Sequence, residues 1–304
     1  MNLHTLLDDL SICRTAIAVG KDKYFARSLD TPSIAAMAHA LDLRLPPWRG
    51  EGRYDLPLHT LAGPTDPAFL VARWLGDAHP AVIYHHGNRE SPFTVSGRTT
   101  STFKRIFLDA APPIQANLIV LRAPFHTLPS RAYMRTLGDL RQFVALLASS
   151  VRLMEALVQH CRALGSPRVV AGGLSLGGFV ANIHRALYRS ADAYVPLLAG
   201  AAFDHVFLHS SYRHLTARLA RGNPQALHEA LNFENAFAQI QTPNLHPLLA
   251  LHDRVAFCDR QRPSYAGAPL IVLPKGHITA ALDAPALRRH FFQALTPSAS
   301  GAVP

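Results

Sequence analysis

Three side chains with the chemistry of acyl transfer occupy suggestive positions. Ser175 lies at the centre of Gly173-Leu174-Ser175-Leu176-Gly177, a complete G-x-S-x-G. Arg168 to Gly173 reads as a short buried strand and Gly178 to Arg189 as a helix. A serine on the sharp turn between them is strained and presents its hydroxyl at the top of a sheet. A hydroxyl is a poor nucleophile until a base takes its proton, and that base needs a third group to orient it. Two downstream positions fit. Asp253 follows the apolar run Leu248 to Leu251, and His277 follows Leu270 to Leu273 in Lys275-Gly276-His277-Ile278. Both stand at the C-terminal end of a predicted strand, and in a parallel sheet all such ends lie on one edge. Asp204, after the preceding strand, is the rival for the acid.

The elements that must carry these residues alternate between strand-like and helix-like runs. Residues 1–50 read as a helical, irregular extension broken by Pro32, Pro46 and Pro47. Asp55–Leu61 and Phe69–Leu75 read as strands joined by a turn at Gly63–Pro67. Ala81–His85 is a third strand, followed by a helix near Thr102–Ala110 and a strand at Asn117–Leu121. From Leu140 to Leu164 apolar residues recur at steps of three and four, which makes one helix stripe, and Gly165-Ser166-Pro167 stops it. Ala193–Leu198, His246–Leu251 and Leu270–Leu273 are further strands, and Ala284–Leu295 is a closing helix. Short apolar strands alternating with helices imply an α/β fold, a mostly parallel central sheet with helices on both faces. The interval between the strands near 195 and 248 exceeds a simple crossover, so 204–243 is expected to be a helical cap. The core is then 51–203 and 244–296, with a disordered tail at 297–304.

Composition narrows the function classes. With 49% hydrophobic and 16% charged residues, the 304-residue chain can bury a large core. The net charge of +10 is scattered, with neither a basic run nor an aromatic platform, so no nucleic-acid partner is expected. No uncharged stretch reaches the roughly 20 apolar residues of a membrane span, so no integral membrane association is expected. Asp8 and Asp9 stand where a signal peptide would carry basic residues. Cys13, Cys161 and Cys258 are odd in number and unpaired in spacing, which points to buried thiols and a cytoplasmic protein. His205 and His209 stand at i and i+4 without the glutamate of H-E-x-x-H, and the elbow glycines lack a following Lys-Ser/Thr. No metal and no cofactor is expected.

With the elbow, the His86-Gly87 turn after the third strand, Asp253 and Gly276-His277 in place, the chain resembles the α/β-hydrolase superfamily over roughly residues 55–295. The order Ser, Asp, His is that of the superfamily. The resemblance implies that Ser175 attacks an acyl carbon, with His277 as base and then acid and Asp253 fixing its tautomer. It implies an oxyanion hole from the N–H of Leu176 and, most plainly, that of Asn88; the sequence departs here from HGGG. His85 and His86 are expected to anchor that turn. His86, His126 and Arg131 are candidates for substrate binding, Arg131 as partner of a substrate carboxylate. Phe203, Phe207, Phe233 and Phe237 line an acyl pocket or pack the cap on the core. The implied partner is a small-molecule ester or thioester, hydrolysed by a carboxylesterase-like enzyme. Rivals are an acyltransferase using the same three residues and a non-catalytic binding protein on the same fold.

Overall fold

A computed structural model of the chain describes residues 2–48, 50–97 and 99–296; the expected tail at 297–304 lies outside them. In chain order the elements are α1 Leu3–Val19, α2 Ile34–His39, β1 Gly52–Asp55, β2 Leu58–Thr60, β3 Gly63–Thr65, β4 Ala68–Arg73 and β5 Ala81–His85. A short π-type turn of helix at Lys104–Leu108 leads to β6 Asn117–Arg122, α3 Ser130–Thr136, α4 Leu140–Ala163, β7 Val169–Leu174, α5 Leu176–Leu187 and β8 Ala193–Leu197. Then come α6 Phe203–His209, a 3₁₀ turn at Ser211–His214, α7 Arg218–Arg221, α8 Pro224–Leu231 and α9 Glu234–Ala238. The chain closes with β9 Leu248–Ala250, α10 Cys258–Gln261, β10 Ile271–Leu273, α11 His277–Ala281 and α12 Ala284–Leu295.

Eight strands form one sheet in the order β1-β4-β6-β5-β7-β8-β9-β10. β4 runs antiparallel to both β1 and β6, and every later pairing is parallel. The central strands are buried on both faces, which is why they read as unbroken apolar runs rather than alternating ones. Successive residues serve opposite layers. Ala81 and Ile83 of β5 join the core under α4 and α5, while Val82 and Tyr84 join the core with Phe107 and Phe291 of the opposite layer.

The first three residues of the expected turn at Gly63–Pro67 are instead a strand, and the expected strand Asp55–Leu61 is divided between β1 and β2. Gly63–Thr65 pairs with Leu58–Thr60 in a small separate hairpin, and β1 begins earlier and pairs with β4. A Gly-Pro pair marks a turn by local preference, but here pairing with β2 in the hairpin overrides it. Among the described residues one helix, α4, is long and apolar enough to cross a membrane, and 78% of that apolar window is buried in the fold. Its start is capped by the Asp139 carboxylate, which accepts from the Arg141 N–H at 3.0 Å, and Gly165 just beyond its end has φ 97°.

Cys161 and Cys258 are buried free thiols, whereas Cys13 is exposed on α1, against the expectation that all three are buried. That expectation failed because α1 turns one face to solvent, and Cys13 falls on it.

Candidate active site

The turn from β7 into α5 places Ser175 at φ 53° and ψ −111°, a conformation costly for a residue with a side chain. Sterics enforce it. A Cβ on Gly177 would overlap the carbonyl of His85 on the neighbouring strand, and one on Gly173 would meet the backbone of Gly177. The Ser175 N–H is held by the Leu197 carbonyl at 2.8 Å, so the elbow is tied to β8.

The three residues converge as the strand-edge argument requires. His277 Nε2 lies 2.9 Å from Ser175 Oγ, and His277 Nδ1 lies 2.7 Å from Asp253 Oδ2. The other carboxylate oxygen of Asp253 accepts the N–H groups of Val255 and Ala256, both at 2.7 Å. This leaves the acid no rotational freedom and aims Oδ2 at the imidazole. Burial raises the Asp253 pKa, although His277 and the two N–H groups oppose the rise. Burial alone would lower the pKa of His277. The Asp253 carboxylate, its hydrogen bond and the charge of Asp8 overcome that and leave it raised above 6.5. Asp204, the rival acid, is occupied elsewhere: it accepts from His228 Nδ1 and Asn232 Nδ2, both at 2.9 Å.

β5 pairs with β7 so that His85 stands opposite Gly173, and Asn88 follows three residues later beside the elbow. Asn88, Ser175 and Leu176 line one pocket with Tyr24, Phe143, Phe179, Phe203, Val206, Phe207, Tyr212 and Val255. Leu176 is the first residue of α5, so its N–H has no acceptor within the helix. The Asn88 side chain is gripped by tyrosines, donating to Tyr24 Oη at 3.0 Å and accepting from Tyr133 Oη at 2.7 Å. Glu90 closes the turn from behind. It accepts the Gly87 N–H at 3.1 Å and both the N–H and hydroxyl of Thr102. Burial pushes its pKa up to about 7.

The architecture has known counterparts, although neither a protein-family model nor a curated protein matches the sequence. An acylaminoacyl peptidase of Pyrococcus horikoshii superposes with a TM-score of 0.54 at 11% identity, over 84% of this chain and 44% of that one. The chain thus spans less than half the length of that peptidase. An acetyl xylan esterase of a Thermoanaerobacterium species gives 0.52 at 14% identity, over 92% and 94% of the two chains. An esterase of Pyrococcus furiosus gives 0.52 at 13%, over 88% and 98%. The chain has the α/β-hydrolase fold. Within the eight-stranded sheet β4 runs against its neighbours β1 and β6, the remaining pairings are parallel as expected of a mostly parallel sheet, and Ser175 stands on the turn after β7.

Three expected substrate-binding residues are not part of the pocket. His86 is fully buried, its Nδ1 donating to Gly87 O at 2.6 Å and its Nε2 accepting from Ala123 N–H at 3.0 Å. Burial holds its pKa well below the usual value, so it is a neutral strut. His126 is spent in the same way between Pro124 O at 3.1 Å and Arg89 N–H at 3.4 Å, with its pKa lowered by burial to about 3. Arg131 points to the N-terminal helix and donates to Ala18 O at 3.4 Å. Loop residues near a strand end look alike in sequence, and only the path of the loop decides which face the pocket. Phe203 and Phe207 line it; Phe237 packs instead on Tyr265 and Arg185. The His205 and His209 rings lie 4.8 Å apart with their planes tilted by 34°, and among the described residues no group of three or more His, Cys, Asp or Glu could hold a metal. Tyr24, Tyr133, Tyr212 and Glu90 were not singled out by the sequence, and Asp8 was noted only for its charge near the N-terminus, because nothing local marks their place at the site.

Proposed function

We propose that the protein is a serine hydrolase that cleaves short-acyl carboxylic esters through an acyl-enzyme on Ser175. The observation that carries this reading is the unbroken chain Ser175 Oγ, His277 Nε2, His277 Nδ1, Asp253 Oδ2 at 2.9 and 2.7 Å, on a strained elbow at the mouth of an apolar pocket.

His277 Nε2 takes the hydroxyl proton as Ser175 Oγ bonds to the acyl carbon, and the carbonyl π pair moves onto oxygen. Asp253 holds the proton on Nδ1 and stabilises the imidazolium. The N–H groups of Leu176 and Asn88 receive the oxyanion, a contribution whose loss costs on the order of 10²–10³ in rate per donor. Collapse breaks the ester C–O bond, and the imidazolium protonates the leaving alkoxide. Water then attacks the acyl-enzyme by the same steps, releasing the acid and restoring the serine.

Pocket size supports a short acyl group. Phe179 and Phe203 stack with centroids 3.9 Å apart, and Phe143, Phe207 and Val206 crowd the same volume. The space open to the centre of a water-sized sphere is about 20 Å³, on the order of one water. Of the elements near 204–243, the expected cap, α6 supplies Phe203, Val206 and Phe207 to the pocket wall and the 3₁₀ turn supplies Tyr212.

Labelling with a fluorophosphonate, wild type against Ser175→Ala, tests the reading. Modification confined to Ser175, together with hydrolysis of p-nitrophenyl acetate faster than of the hexanoate, is the expected result. Folded wild-type protein that neither labels nor turns over would overturn it in favour of a binding role.

A further inference from the structure

The N-terminal helix inserts a carboxylate directly behind the proposed base. Asp8 is fully buried, on the face of α1 that also buries Ile12 and Val19. Its Oδ2 accepts the N–H of His277 at 2.7 Å and that of Arg254 at 3.1 Å, and its Oδ1 accepts the N–H of Ile278 at 2.9 Å. One side chain thus bonds the backbone of the base and of the residue that follows the acid. α11 begins at His277, and the residue before it, Gly276, has no side chain to cap the exposed N–H groups. A Cβ on Gly276 would lie 2.8 Å from His4 O and 2.9 Å from Asp8 Oδ2, so α1 approaches as closely as glycine allows. His4 Nδ1 also meets Thr279 Oγ1 at 2.9 Å. A buried carboxylate without partners would be strongly destabilising; three N–H donors meet its demand.

We infer that Asp8 is a positioning residue for catalysis: it clamps the loops bearing His277 and Asp253 and adds negative charge beside the imidazole. The inference rests on the serine-hydrolase reading of the site. It makes the N-terminal segment part of the active site rather than an appendage to it. The charge of Asp8 acts on His277 in the same direction as that of Asp253, favouring the imidazolium that forms during attack. Other titratable or charged groups around these loops are His4, Asp9, His252, Arg254 and Lys275. Of these, Asp9 bonds Ser211 and Arg254 Nε and makes no bond to the His277 loop.

The test compares Asp8→Asn with Asp9→Asn in the full chain. Asparagine keeps the size but lacks the charge and puts an N–H₂ where an acceptor is needed. Asp8→Asn is expected to lower kcat for p-nitrophenyl acetate by about 10–10²-fold, the scale of a small misplacement of a catalytic group. KM should hold, and the acid limb of the kcat profile should move to lower pH. Asp9→Asn should leave kcat and the limb in place. A folded Asp8→Asn protein with wild-type kcat and acid limb overturns the inference, as does an equal loss in Asp9→Asn. If Asp8→Asn does not fold, Asp8→Glu replaces it: the charge stays, so the limb stays, while the longer arm lowers kcat, and wild-type kcat overturns. A wild type without turnover sinks the hydrolase reading instead. Even then, the His277 imidazole pKa read by NMR should fall in Asp8→Asn, and an unchanged value rejects the coupling.

Discussion

Replacing Asp253 by asparagine changes one atom of a buried group and inverts the proton arrangement of the site. In the wild type Oδ1 is held by Val255 and Ala256 N–H and Oδ2 receives His277 Nδ1–H. Asparagine keeps its Oδ1 on the two N–H groups, which leaves Nδ2 facing the imidazole. An N–H₂ there demands a lone pair on Nδ1, so the ring proton moves to Nε2, 2.9 Å from Ser175 Oγ. The imidazole then donates to the serine and cannot take its proton. Loss of the correct tautomer costs about 10⁴ in kcat where this arrangement has been dissected, about 5.4 kcal/mol at 1.36 kcal/mol per decade. KM and the thermal midpoint should change little, since the shape and the two backbone bonds persist. Single-turnover and steady-state kinetics with p-nitrophenyl acetate, alongside circular dichroism, measure this. A folded Asp253→Asn enzyme within about tenfold of wild type would refute the reasoning. The companion Asp204→Asn should lose only the contacts to His228 and Asn232; a severe loss there with a mild one at 253 would move the acid to Asp204.

The proposed mechanism needs neutral His277, whose pKa is raised, so kcat/KM should fall with decreasing pH around a midpoint above about 6.5; a midpoint well below that would contradict the proposal. Phe203→Leu opens the stack on Phe179 and should raise the butyrate-to-acetate rate ratio, at about 0.5–3 kcal/mol of stability measured by urea unfolding; an unchanged ratio would remove Phe203 from the acyl pocket. Glu90 has a folded pKa raised to about 7, so the folded state retains its proton more strongly and loses stability as pH rises from about 4.5 to 7. Denaturant titrations of wild type against Glu90→Gln should show a stability difference that shifts across that window in favour of the variant, by up to about 3 kcal/mol. Parallel pH dependences would mean that Glu90 is not the source.

Much of this site was legible in the linear chain because its signals are local. The elbow glycines are imposed by contacts within a strand-turn-helix unit, so Gly173 to Gly177 announce the backbone around Ser175. Asp253 and His277 could be singled out because apolar runs mark strands and parallel strands share an edge, and the two side chains do meet. The α4 stripe and the α12 boundaries are also written in three-to-four periodicity and in capping residues.

What the sequence by itself determined, then, is the α/β architecture, the elbow and the order of the three side chains that converge, because each follows from contacts within a few residues or from strand order. Tertiary structure alone decided that Asp253 rather than Asp204 meets the imidazole. It alone turned His86 and His126 into backbone struts and sent Arg131 to α1. It also brought Asp8 onto the His277 loop, across 269 positions of chain. No local pattern encodes such a meeting, since a buried carboxylate and the N–H groups it satisfies are matched by packing of whole elements and not by spacing along the chain.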